Sequence, residues 1–164
     1  MNRYLAIYLN DHYAGSVGAV ELARRAAGEH EGTELGRLLA TLAGEIEEDR
    51  QTLRRIMSAA GVRPHVAKYG LAWLGEKVGR LKPNGHLRQP SPLSPLVELE
   101  ALATGITGKE MLWRSLRATP GAPTAGRSLD ELIARAEDQR ARVEAHRLEV
   151  AAGALAAGGA PGGP

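Results

Sequence analysis

Residues 37–64 read RLLATLAGEIEEDRQTLRRIMSAAGVRP. Leu39, Leu42, Ile46, Leu53 and Ile56 recur at steps of three and four, extended by Leu35 and Ala60. That spacing puts them on one stripe of a helix. The stripe predicts a helix over Glu34–Ala60, with Gly61 as its C-terminal cap and Pro64 beyond. One position breaks the pattern. Between Ile46 and Leu53 the core position falls to Asp49, and an ionised carboxylate is almost never buried without a partner.

Upstream, "YLAIYLNDHYAGSVGAVELARR" carries a second helical period, predicting a helix over Arg3–Ala27. His12 falls in the middle of an arc formed by Leu5, Tyr8, Leu9, Ser16, Ala19, Val20 and Ala23. "GEHEGT" separates the two helices and reads as a short loop. An antiparallel hairpin folded near His30 and Glu31 sets His12 and Asp49 at one height, facing each other in the core.

Downstream, Leu96, Leu99, Ala103, Ile106 and Trp113 predict a third helix over Pro95–Arg117, with Ser94 as N-cap. "SLDE" is a capping box, Ser128 to Glu131, opening a fourth helix that runs to Ala152. Its inward positions are Leu129, Leu132, Ala136, Val143 and Val150. The Gly/Ala/Pro-rich tail, residues 153–164, is expected to be disordered. Between the second and third helices lies a connection over residues 62–94. Ala67, Leu71, Leu74, Val78 and Leu81 give part of it a helical stripe. No strand is expected. Two hairpins joined by one long crossover predict a single all-α domain over residues 1–152, a four-helix bundle.

The other hairpin adds polar residues near the level of Asp49. Gln139 takes a position on the fourth seam, with Arg140 beside it, and His146 follows two turns later. Lys109 and Glu110 flank the inward arc of the third helix. Three readings follow for the set His12, Asp49, Glu110, Gln139 and His146. One is a structural polar layer that fixes helix pairing. Another is a site for a single iron, manganese or zinc ion, since imidazole and carboxylate suit those metals. The last is a small-ligand pocket. Gly105 and Gly108 read as places where helices approach closely, and no Ser-His-Asp arrangement is present.

Composition narrows the classes. The 164 residues include no cysteine, which excludes disulfides, thiolate metal sites and a cysteine nucleophile. Phe is absent and aromatics are 4%, so the core must be built from Leu, Ala, Val and Ile. No run approaches the roughly 18 apolar residues of a membrane helix, and the N-terminus does not read as a signal peptide. The expected location is the cytoplasm, with a homodimer formed through exposed helix faces as the candidate assembly. The net charge of +2 is unevenly spread: residues 62–92 carry +5, leaving −3 elsewhere. Lys77, Arg80, Lys82 and Arg88 in that segment are candidates for docking an anionic surface. No nucleic-acid-reading motif is present.

The stretches "LNDHYAG", "GEIEEDRQTLRRIM", "AWLGEKVGRLKPNGHL" and "SPLVELEALATGITGKEMLWRSL" resemble a group of uncharacterised actinobacterial ferritin-like proteins. The resemblance implies a ferritin-like four-helix bundle and a stress-associated setting; the role expected for the chain is non-catalytic binding, with a metal-binding protein using His12 and Asp49 as the alternative. It does not bring the family's di-iron site. That site needs one Glu on each of two helices and Glu-x-x-His on each of the other two, and the chain has no Glu-x-x-His. Glu144 and His146, two apart, point away from each other on a helix.

Overall fold

The computed structural model describes residues 3–65 and 93–157. These form four helices: α1 (Arg3–Glu29), α2 (Glu34–Ala59), α3 (Ser94–Ala118) and α4 (Leu129–Ala157). There is no strand among the described residues, and no described helix is long and apolar enough to cross a membrane. The basic segment with Lys77, Arg80, Lys82 and Arg88, and the predicted stripe from Ala67 to Leu81, lie outside the described residues.

Each helix end has a local cause. Thr33 caps α2: its Oγ1 accepts from Gly36 N at 3.0 Å and donates to His30 O at 2.7 Å. At the other end Gly61 takes φ +68°. Its N–H donates to Ser58 O, and the next N–H, of Val62, donates to Met57 O at 2.8 Å. This pair of bonds closes the helix and buries Val62 against the core. Ser128 Oγ accepts from Glu131 N at 3.3 Å at the start of α4. The cap expected at Ser94 is not formed. Ser94 lies inside α3, and Leu93, the residue before it, makes no side-chain cap bond. Pro95 in the first turn tolerates this, because its missing N–H would have had no helical acceptor. α4 continues to Ala157, so residues 153–157 are helical rather than part of a disordered tail. Ala and Leu supply the propensity that carries it past Gly153.

The pairing of the helices follows from their side-chain contacts. α1 and α2 form one antiparallel hairpin, and α3 and α4 the other. α1 runs antiparallel to α3. Tyr8 donates to Ser115 Oγ at 3.0 Å at one end, and Arg25 stands 3.5 Å from Glu98 at the other. α2 faces α4, also antiparallel, through Arg142–Glu45 at 2.6 Å and Arg135–Glu48 at 2.8 Å. α2 therefore ends, and α3 begins, at opposite ends of the molecule.

The α1–α3 contact is the more extensive cross-hairpin packing, and the α2–α4 contact is narrower and strongly charged. Leu9, Val20 and Ala23 of α1 meet Leu39, Leu42 and Ile56 of α2 in a core completed by Leu99, Leu102, Leu112, Trp113 and Val143. With no Phe available, Trp113 is the bulkiest fully buried side chain, at 1% exposure.

Candidate ligand cavity

Asp49 is 2% exposed, as its place on the α2 seam requires. Its partners come from the opposite hairpin. Lys109 on α3 donates from Nζ to Asp49 Oδ2 at 2.5 Å. Gln139 on α4 donates from Nε2 to the same oxygen at 3.2 Å. Arg135, one turn before Gln139, sets its Nε 3.3 Å from Asp49 Oδ1. Lys109 also donates to Gln139 Oε1. Gln139 is fully enclosed, so its amide gains both a donor and an acceptor partner where water cannot reach. The level match between Asp49 and Gln139 emerges directly as this hydrogen bond.

The network continues outward. Arg135 donates to Glu45 O at 2.7 Å and to Glu48 Oε2 at 2.8 Å. Arg142 bridges Glu45 and Asp138. Burial holds the Lys109 amine below its ordinary pKa, and the adjacent Asp49 carboxylate works against that shift.

His12 does not join this network. It makes no hydrogen bond to Asp49 and is half-buried rather than enclosed. The buried face of α1 is centred nearer Tyr13 and Ala14, because α1 is packed by both α2 and α3. His12 therefore falls on the edge of that face. Its ring packs edge-on against Tyr8, with centroids 4.6 Å apart. Burial lowers its pKa below 6.5, partly offset by Asp11, which favours the neutral ring.

What His12 and Asp49 do share is a cavity of about 280 Å³ between α1, α2 and α3, partly open to solvent. His12, Gly15 and Ala19 line it from α1, Ile46, Asp49 and Leu53 from α2, and Gly105, Ile106, Gly108, Lys109, Leu112 and Trp113 from α3. Small residues make the space. A Cβ at Gly105 would meet Ala19 at 3.9 Å, which fits the close approach expected there. A Cβ at Gly108 would meet nothing within 4 Å, so this glycine leaves room instead of bringing helices together. The wall is mostly apolar, with the Asp49–Lys109 pair as its enclosed polar patch.

The remaining sequence candidates are held elsewhere. Glu110 pairs with Arg114 at 2.8 Å and with Arg140 at 3.5 Å. His146 sets Nδ1 3.3 Å from Arg142 O, and its buried Nε2 has no partner among the described residues. Neither lines the cavity. Among the described residues no three His, Asp or Glu side chains stand together in a way that could hold a metal ion. The oxygens of Asp49 are taken by two cations and an amide.

Arg135 is the member that the seam pattern did not single out. Its signal was its spacing, four residues before the inward Gln139. Comparisons with protein-family models, with curated proteins and with solved structures return no match to this chain.

Proposed function

We propose that this chain is a non-catalytic, ferritin-like binding bundle that holds a small, largely apolar molecule between α1, α2 and α3. The observation that carries the reading is the cavity itself. Helical cores of this size are close-packed, with few voids larger than a water molecule. A dry cavity of about 150 Å³ is already enough to take up benzene, and this one is about 280 Å³. An apolar wall with a few converging polar groups is the usual composition of a small-molecule site. The polar layer then has two roles: it joins the hairpins and it forms the polar end of the pocket.

The ferritin-like part of the proposal is supported by the order of the helices. One antiparallel hairpin is followed by a connection between opposite ends and then by a second hairpin, as in bundles with one long crossover. The stress-associated setting comes from the sequence resemblance alone.

Thermal unfolding of the purified full chain with a panel of compact aromatic and branched aliphatic compounds tests the reading. A binder at a hundred times its Kd adds about 2.7 kcal/mol of stability, a clear and saturable rise in Tm. Gly108→Leu, which fills the space, should abolish that rise while leaving the fold intact. If no compound in the panel raises Tm, or if Gly108→Leu leaves the rise unchanged, the cavity is not the binding site.

A further inference from the structure

α1 is buried on a side that no described helix covers. Residues nine apart on an α-helix are about two and a half turns apart, so they point in opposite directions. Ala14 stands nine residues from Ala23, and Gly18 nine from Leu9. Ala23 and Leu9 are fully buried in the core, so Ala14 and Gly18 point away from it. Yet Ala14 is 1% exposed and Gly18 is buried. Among the described helices only α2 and α3 pack on α1. α2 meets the flank with Arg24, through Glu47. α3 meets the flank with Tyr8 and Ala19, through Ser115 and Gly105.

The buried positions form one row. Asn10, Ala14, Gly18 and Leu22 are spaced by four, a ridge that winds obliquely around a helix. Leu22 is 4% exposed and Asn10 half-buried. Asp11, Gly15, Glu21 and Arg25, on either side of the row, are exposed. A strip this narrow and oblique fits one crossing segment of chain.

The chain ends beside the row identify the segment. Asn10 Oδ1 accepts from His65 N at 2.6 Å, so the chain leaving α2 is held at the start of the row. Arg25 stands 3.5 Å from Glu98 near the start of α3, so the chain enters α3 just past Leu22. Asn10 lies toward the α2 flank and Leu22 toward the α3 flank, which matches a path from α2 to α3 across α1. The row rises about 18 Å, well within the reach of the 27 residues between His65 and Leu93. The tail is too far away. Arg147, ten residues before Ala157, already stands 3.8 Å from Glu100, so the tail starts beyond the end of α1. Its seven residues reach at most about 25 Å, short of Ala14.

We propose that α1 carries a docking row, Asn10, Ala14, Gly18 and Leu22, whose occupant is the chain's own segment 66–92. The contact is its apolar stripe of Ala67, Leu71, Leu74, Val78 and Leu81. The small side chains of the row bring the segment close, and the stripe replaces water over them. This seat closes that side of α1 to a second copy of the chain.

The chain has no cysteine, so single cysteines report on single sites. In the full chain, Ala14→Cys is expected to react with a maleimide at least a hundredfold more slowly than Gly15→Cys, its exposed neighbour. Adding Leu74→Asp and Val78→Asp should raise the Ala14→Cys rate at least tenfold, whereas Leu155→Asp on α4 should change it less than twofold. Equal rates at the two cysteines overturn the proposal. So does protection that survives the paired Asp change, or that is lost on dilution (the mark of a second copy).

A second readout leaves row and stripe unaltered, and decides if the Asp pair unfolds the chain. A nitroxide on Glu21→Cys, beside Gly18, is expected to broaden the methyl signals of Leu74 and Val78 far more than those of Leu155. Leu74 and Val78 signals as sharp as those of Leu155 overturn the proposal.

Discussion

Lys109 on α3 holds its ammonium nitrogen 2.5 Å from Asp49 Oδ2 on α2, so an ion pair buried at the level of the cavity joins the two hairpins. The Asp49 side chain is 3% exposed and that of Lys109 13%, so neither charge is well hydrated. Such a pair adds little over well-packed apolar residues, but it punishes the loss of one partner. It therefore acts on the register of the hairpins more than on total stability.

Asp49→Ala should destabilise the fold by about 3–5 kcal/mol, because it leaves Lys109 and Arg135 facing each other without their shared anion. Urea unfolding with a global fit for the m-value measures this. The double variant Asp49→Leu/Lys109→Met should recover a large part of the loss, since it removes the stranded ammonium as well as the carboxylate. A single-variant loss below about 1 kcal/mol, the range of exposed pairs, would show that the pair does not tie the hairpins.

Much of this was legible in the sequence, for identifiable reasons. The step from Ile46 to Leu53 marked Asp49 as an inward carboxylate, and the seam of the fourth helix marked Gln139. Both are set by helix periodicity, and both are buried. The partner of Asp49 was not legible in the same way. A helical wheel places Cα atoms, whereas Lys109 and Arg135 enter the core from flanking positions on long, flexible stems.

The exact place of His12 was not legible for a related reason. The apolar arc of α1 is wide, and the sequence does not say which part of it faces α2 and which faces α3. The cavity was illegible as well. Gly108 looks the same in a sequence whether it admits a neighbouring helix or leaves a space.

Acidification should weaken the fold through His12. Its folded pKa lies below the unfolded value of 6.5. Between those two values the unfolded chain holds more protons, so stability falls as the pH drops through 6.5 and levels off below the folded pKa. The loss should be absent above about pH 7.5, where His12 is neutral in both states. His12→Gln should remove this component. The stability difference between wild type and variant, followed from pH 8 to pH 5 by urea midpoint, should change with pH in favour of the variant on the acid side. A difference that is flat across the range would mean that burial does not suppress the charge on His12.

Glu98 gives the opposite sign. It is 5% exposed near the start of α3, 3.5 Å from Arg25 and 3.8 Å from His30. Burial, with Glu29 nearby, raises its pKa above 4.5 despite those two partners. Its folded form therefore holds the proton longer than the unfolded chain, and stability is lost as the pH rises from 4.5 through the folded pKa. Glu98→Gln should be at least as stable as wild type at pH 7, with the gap closing as the pH approaches 4. Thermal unfolding at both pH values checks this. A variant less stable at pH 7 than at pH 4, relative to wild type, would show that Arg25 and His30 outweigh the burial of the charge.

Two glycine-to-alanine substitutions should move stability in opposite directions. Both replace a residue that is poor in helices, and an added methyl gains about 0.5–1 kcal/mol where there is room. Gly108 has that room, since a Cβ there meets nothing within 4 Å. Gly108→Ala should therefore stabilise the fold by about that amount. Gly36 does not. A Cβ there would sit 2.1 Å from His30 O, a backbone atom already held by Thr33 Oγ1 at 2.7 Å and Thr33 N at 3.2 Å.

The clash cannot be relieved by turning a flexible side chain. The cap that opens α2, in which Thr33 Oγ1 receives Gly36 N at 3.0 Å, must shift with it. Gly36→Ala should cost about 2 kcal/mol or more, at the upper end of single substitutions. Parallel chemical denaturation of the two variants reads the contrast directly. If Gly36→Ala were neutral, the α1–α2 turn would not be held as tightly as His30 and Gly36 place it. If Gly108→Ala were destabilising, the space beside Lys109 would already be filled.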